Sequence, residues 1–227
     1  MTVEGPFHEG GFWAWKARHG DVEVRFTGRG PANDRDEILR AVEPAAPPLA
    51  WARQIHSAVA LAARAGACGE GDALYSDSDD PDLSLSVVTA DCVPVLVAGP
   101  AGLAAVHAGW RGIVGGVIPA ALDKMTGDPA ERTAWIGPAI GACCYEVGPE
   151  VADQVMAASA PEVARSGPTG KTHLDLQAAA RHQLAAAGVR QVFVLSVCTR
   201  CDGEKLWSYR REGKAAGRNM AFIWRHS

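Results

Sequence analysis

The longest apolar run in the chain, residues 93–106, is interrupted by Pro94 and Pro100. Fourteen residues are too few to cross a bilayer as a helix, so this run belongs in the core of a water-soluble fold. Its β-branched first part, residues 93–97, reads as a strand. So do the alternating residues 22–26, the β-branched residues 84–89 and the buried-looking run 190–197. Helical windows lie between them. Asn33 or Asp34 can cap a helix that reaches Glu43; further windows cover residues 112–125, 150–159 and 175–187, the last closed by Gly188. Residues 45–48 are a loop, too short for a domain linker. Strands and helices intermix without the regular alternation of a doubly wound sheet, and no repeat is visible. The expectation is one mixed α/β domain over residues 1–227.

Composition bounds the function. At 48% hydrophobic and 21% charged, with seven tryptophans, the chain has material for a sizeable core. Its net charge of −4 argues against a nucleic-acid or membrane-surface partner, and the N-terminus lacks a signal pattern, which gives a cytoplasmic expectation. Charge is unevenly spread: residues 68–93 hold seven acidic groups, including Asp72, Asp79, Asp80 and Asp91, and no Lys or Arg. Residues 200–227 carry five Arg and two Lys against three acidic groups. A cleft between the two regions would receive an anion. The six cysteines, at 68, 92, 143, 144, 198 and 201, read as reduced thiols.

Common signatures fail at named positions. Gly170-Lys171-Thr172 lacks the phosphate-loop glycine, since position 165 is arginine, and Gly28-Arg29-Gly30 lacks the third dinucleotide glycine, having Asn33. His107 is followed by Ala108 and Gly109, so the His-x-Glu of zinc nucleobase deaminases is missing. Cys198-Thr199-Arg200-Cys201 is a lone Cys-x-x-Cys and reads as packing or a loop position, as do the vicinal Cys143 and Cys144.

Three segments remain: Arg53-Gln54-Ile55-His56, Thr89-Ala90-Asp91-Cys92-Val93-Pro94-Val95-Leu96, and Ala105-Val106-His107-Ala108-Gly109-Trp110-Arg111-Gly112. Each sets a His or Cys at a strand end, where α/β folds gather functional side chains. Two imidazoles and a thiolate suit zinc with a fourth position open; they are also the trigonal copper set. A second reading of the same residues is a Cys-His hydrolase of amide or peptidoglycan-precursor bonds, with Cys92 as nucleophile, His107 or His56 as base and an Asp as orienter. Asp91 and Asp72 are candidates to orient an imidazole or move a proton. Arg111, Arg210 and Arg211 are candidates for phosphate, which guanidinium grips in bidentate fashion. Arg111 is expected at the start of a helix, where backbone N–H groups add to anion binding.

These segments, together with Ile136-Gly137-Pro138 through Cys143-Cys144-Tyr145-Glu146-Val147-Gly148, Cys198-Thr199, Ser208-Tyr209-Arg210-Arg211 and Gly217-Arg218-Asn219, resemble the polyphenol oxidase "laccase domain" family. The resemblance runs in order from about Trp51 to Trp224. That family is described as zinc-dependent purine nucleoside phosphorylases with adenosine deaminase activity. The resemblance implies metal ligands at His56, Cys92 and His107, an α/β (α+β) sandwich of mixed β-sheets with helices, and adenosine, inosine, methylthioadenosine and phosphate as substrates. It departs from the family at Ser57, where a glycine is usual, at Leu206-Trp207, where two aromatics are usual, and between Phe12 and Asn33, where the family's glycine-rich loop is not recognisable. Copper-dependent phenol oxidation, the older family name, would need more histidines than seven. A binding module that leaves its ligand unchanged is the non-enzymatic alternative. A monomer or homodimer is expected.

Overall fold

The computed structural model describes residues 2–77, 82–167 and 170–226. Asp79 and Asp80 of the acidic run lie outside them. The chain opens with an antiparallel meander of β1 (Glu4–Glu9), β2 (Phe12–His19) and β3 (Val22–Thr27). Helix α1 (Arg35–Val42) follows, its first turn capped by the Asp34 carboxylate, which accepts from the Asp36 and Glu37 N–H groups. Then come β4 (Leu49–Arg53), β5 (Ala60–Ala62), β6 (Gly66–Glu70), β7 (Ala73–Asp77), β8 (Ser84–Thr89), β9 (Val93–Gly99) and β10 (Gly102–Ala108). The second half carries α2 (Trp110–Gly115), α3 (Val117–Leu122), β11 (Thr133–Ile136), α4 (Pro149–Ala158), β12 (Ala164–Ser166), β13 (Thr172–Leu174), α5 (Leu176–Ala186), β14 (Gln191–Val194), α6 (Tyr209–Glu212) and β15 (Asn219–Arg225).

Among the described residues these strands build two large mixed sheets, β1-β2-β3-β15-β8-β4-β6 and β14-β11-β9-β10-β7-β5, with β12-β13 as a small ribbon. The sheets stack through Trp15, Val24, Phe26, Leu85 and Ile223 on one side and Leu74, Leu96, Leu103 and Trp135 on the other. Helices α2 to α5 cover the outer face of the second sheet, on Val93, Val95, Val97, Ala104 and Val106. Helix α1 covers Phe12, Leu49, Phe222 and Trp224 on the outer face of the first. The result is the expected α/β sandwich of mixed sheets. Strands β9 and β10 are buried on both faces, which is why residues 93–106 are apolar throughout rather than alternating.

Two elements differ from the sequence reading. The helix expected over residues 112–125 is two short helices, because Gly116 takes the left-handed conformation at φ 78°, ending α2 and starting α3. The run 190–197 contributes only β14, which lies at a sheet edge with β11 as its one strand partner. Its side chains are therefore half-exposed rather than buried.

Pleat alternation fixes where the functional side chains emerge. Along β10, Ala104 and Val106 face the helices, whereas Leu103 and Ala105 face the other sheet, so His107 points to the inter-sheet side at the end of the sandwich. Leu96, fully buried between the sheets, tests this core: Leu96→Ala should cost about 2–5 kcal/mol in urea unfolding. A loss under about 1 kcal/mol would mean that the sheets close over the deleted volume.

Candidate metal centre and active site

Asp72, between β6 and β7 and 1% exposed, organises the centre. Its Oδ1 pairs with His107 Nδ1 at 2.8 Å and accepts from the His56 N–H at 3.0 Å. Its Oδ2 accepts from the Ser57 N–H (2.6 Å), the Ser57 hydroxyl (2.8 Å) and the Ile55 N–H (3.2 Å). One carboxylate thus orients an imidazole and shapes the β4–β5 loop, in which His56 is held at φ 61°. Serine at the position where the resembled family has glycine contributes two of these donors. The Gln54 side chain pins the same loop to β8: its amide donates to the Val88 carbonyl at 2.7 Å and accepts from the Val88 N–H at 2.8 Å.

The structure brings His56, Cys92 and His107 together. Their ligating atoms lie within 4.8 Å of one another; His56 Nε2 is 4.0 Å from Cys92 Sγ, and the two imidazoles meet edge to face with centroids 5.0 Å apart. With Nδ1 of His107 on Asp72, Nε2 is the nitrogen directed to the shared centre. Position 109 has to be glycine, because a Cβ there would sit 2.9 Å from Cys92 Sγ and 3.3 Å from the His56 ring.

Burial would raise the Asp72 carboxyl, but the hydrogen bonds from His107 and Ser57 outweigh it and hold the group well below the usual carboxylate range. Burial likewise opposes charge on Cys92 and His107. Hydrogen bonding and the charges of the two imidazoles bring the Cys92 thiol down to about 6, and Asp72 and Cys92 bring His107 up to about 9. A thiolate between two imidazoles, one of them braced by a carboxylate, is a donor set that fits zinc or copper.

The centre opens into a cavity of about 930 Å³. Trp51, Trp110 and Tyr145 are among its aromatic lining residues, and Arg111 and Arg210 stand among its cations. The Arg111 guanidinium stacks 4.3 Å from the Trp110 ring centre. It lies at the start of α2 as expected, but that helix has only six residues, so its terminus adds little to anion binding. The Arg210 guanidinium lies over Tyr145 at 5.1 Å and donates to the Glu146 carbonyl at 3.1 Å.

Two expected roles move. Arg211 does not line the cavity: its guanidinium donates to the Thr199 (2.7 Å), Arg200 (2.8 Å) and Leu206 (2.6 Å) carbonyls. Asp91, at φ 95°, touches neither imidazole; it accepts from the Thr199 hydroxyl and the Arg210 N–H, both at 2.6 Å, and so positions the Arg210 segment. Arg35, Arg53, Arg218 and Tyr145 line the cavity although the sequence assigned none of them a role. Arg53, Arg218 and Tyr145 each had a signal, their places in the Arg53-Gln54-Ile55-His56, Gly217-Arg218-Asn219 and Cys-Cys-Tyr-Glu segments, whereas Arg35 had none.

Asp72→Asn keeps the shape and removes the charge, and should weaken zinc binding about 10- to 100-fold in competition with a chromophoric chelator. His56→Ala, Cys92→Ala and His107→Ala should each cost about one equivalent of zinc with the fold retained. Unchanged affinity in Asp72→Asn would mean that the carboxylate braces the loop alone.

The chain is similar to proteins of known name. It is 40% identical over 179 residues to "Purine nucleoside phosphorylase YfiH" of Escherichia coli (strain K12), covering 77% of this chain and 72% of that one. It is 42% identical over 151 residues to "Adenosine deaminase RL5" of an unknown prokaryotic organism, covering 62% and 58%. Among solved structures, Neisseria meningitidis protein NMB0706 superposes with a TM-score of 0.81 at 31% identity, over 96% of this chain and 100% of that one. Residues 31–226 match the model of one family, and the chain belongs to it: the multi-copper polyphenol oxidoreductase laccase family.

Proposed function

We propose that the protein is a zinc-dependent purine nucleoside phosphorylase, acting on adenosine, inosine and methylthioadenosine, that also deaminates adenosine. The observation that carries the reading is the convergence of the His56, Cys92 and His107 donor atoms within 4.8 Å at a cavity walled by aromatic rings and arginines. The names of the similar proteins support it. Among the described residues no other histidine joins that set, so the ligands of a multi-copper cluster are not assembled around it.

Phosphorolysis joins a phosphate oxygen to C1′ of the ribose while the C1′–N9 bond breaks. The base leaves with the bonding pair and takes up a proton, and the sugar becomes ribose 1-phosphate. Arg111 and Arg210 supply the forked cations that hold the phosphate, and Trp110 and Tyr145 supply faces for the purine. Burial and the nearby Cys92 charge push the Tyr145 phenol up to about 12, so it stays protonated and able to donate to the base. Deamination adds water at C6 and releases ammonia. When bound, zinc supplies Lewis acidity, the property that makes water nucleophilic near neutral pH.

A second reading, a Cys-His hydrolase of amide or peptidoglycan-precursor bonds, is favoured by the line Asp72–His107–Cys92 with its lowered thiol. Alkylation separates the two. In zinc-loaded protein Cys92 should be shielded; finding it the fastest-modified cysteine would favour the hydrolase.

Zinc-loaded protein incubated with adenosine and phosphate should yield adenine, ribose 1-phosphate and inosine on chromatography; adenosine recovered unchanged would overturn the proposal. Arg111→Lys, which keeps the charge and loses the fork, should lower phosphorolysis about tenfold or more, mainly through the KM for phosphate, and spare deamination. Equal loss of both activities would mean that Arg111 supports the centre instead, with Arg210→Lys the next variant.

A further inference from the structure

Four of the remaining cysteines, expected from the sequence to be packing residues, meet in space. Cys143 and Cys144 follow β11 in a turn closed by the Cys144 N–H (2.9 Å) and Tyr145 N–H (3.0 Å) on the Gly141 carbonyl. Cys198 and Cys201 lie in the loop after β14, which the Asp202 N–H closes on the Cys198 carbonyl at 3.0 Å. The two loops are held side by side by an Ala139–Cys198 bridge and by the Thr199 N–H on the Ala139 carbonyl at 3.0 Å. Backbone pairing therefore brings the two cysteine-bearing loops together.

We infer that Cys143, Cys144, Cys198 and Cys201 form a second, structural metal site that takes a tetrahedral thiophilic dication, zinc above all. The four sulfurs lie within 4.8 Å of one another, with Cys201 Sγ 3.4 Å from Cys144 Sγ and 3.7 Å from Cys143 Sγ. With zinc–sulfur bonds of about 2.3 Å, a tetrahedron has edges of about 3.8 Å, so the ion fits with small adjustments. A four-iron cluster interposes iron and sulfide between its ligands and holds them farther apart. The surroundings suit thiolates. The Gly141 N–H donates to Cys198 Sγ at 3.2 Å, and Arg211 places its guanidinium on the Thr199 and Arg200 carbonyls inside the Cys-x-x-Cys loop, against the excess negative charge of four thiolates on one dication. The set is closed, with four protein ligands and no position left for substrate.

The site would clamp two walls of the active cavity. Tyr145 directly follows Cys144, and Thr199, directly after Cys198, anchors the Asp91 carboxylate that holds Arg210. Metal content and thiol reactivity report on this site independently of the proposed reaction.

The experiment uses the full chain with the first centre removed, as His56→Ala, Cys92→Ser, His107→Ala. Loaded with zinc alone under anaerobic reduction and dialysed, it should retain about one equivalent by elemental analysis, against about two in the unsubstituted protein. Cobalt(II) in its place should give thiolate-to-metal charge-transfer absorption. Adding Cys143→Ser and Cys201→Ser should abolish both signals. In the unsubstituted protein, which needs no folding of a variant, zinc should protect these four cysteines from alkylation and a chelator should release them, with Cys68 unaffected. Zinc absent from the triple variant, equal alkylation with and without zinc, or a Cys144–Cys201 disulfide in the anaerobic protein would overturn the inference.

Discussion

The Asp72 carboxylate is the interaction on which the site depends. It is buried at the junction of β7 with the loop that carries His56, and it is shared between an imidazole and three consecutive backbone N–H groups. Such a group is costly to bury unpaired, and here both oxygens are satisfied. The same bonds that stabilise its charge fix the His107 ring and the left-handed turn at His56. The loop and the ring cannot move independently.

The rest of the centre follows from sheet geometry. Strands β8, β9 and β10 are buried, and the alternation along β10 delivers His107 to the inter-sheet side at the sandwich end. Cys92 comes from the short β8–β9 connection at the same end. Asp91, beside it, reaches across to Thr199 and the Arg210 N–H, so the wall with Tyr145 and Arg210 is registered on the residue next to a ligand.

Much of this is legible in the sequence, for a local reason. Strand patterns at residues 84–89 and 93–97 and the Asp34 cap depend on near neighbours, and the helices over residues 150–159 and 175–187 fall within a residue or two of α4 and α5. His56, Cys92 and His107 stand out because each interrupts a constrained stretch of backbone. What is not legible depends on long-range pairing. The meeting of Cys143 and Cys144 with Cys198 and Cys201 follows from the parallel β11–β14 pair, which sets residues more than fifty apart in register. Arg35 looks like any surface arginine until the fold turns it toward the cavity with Arg53 and Arg218, and Arg211 looks like a phosphate ligand until its carbonyl partners appear. The break at Gly116 is a backbone choice that a run of helix-compatible residues conceals.

The position of β15 carries a further consequence for how the chain assembles. It is the last of the described strands, yet it lies in the middle of the first sheet, between β3 and β8. Without β15, β3 and β8 would each present an open sheet edge, a template for pairing with another chain. The seam closes only when β15 slots in antiparallel to both, burying Ala221 and Ile223 toward the second sheet and Phe222 and Trp224 toward α1. β15 is thus the strand that joins the two halves of the first sheet, and until it pairs both inner edges stay open.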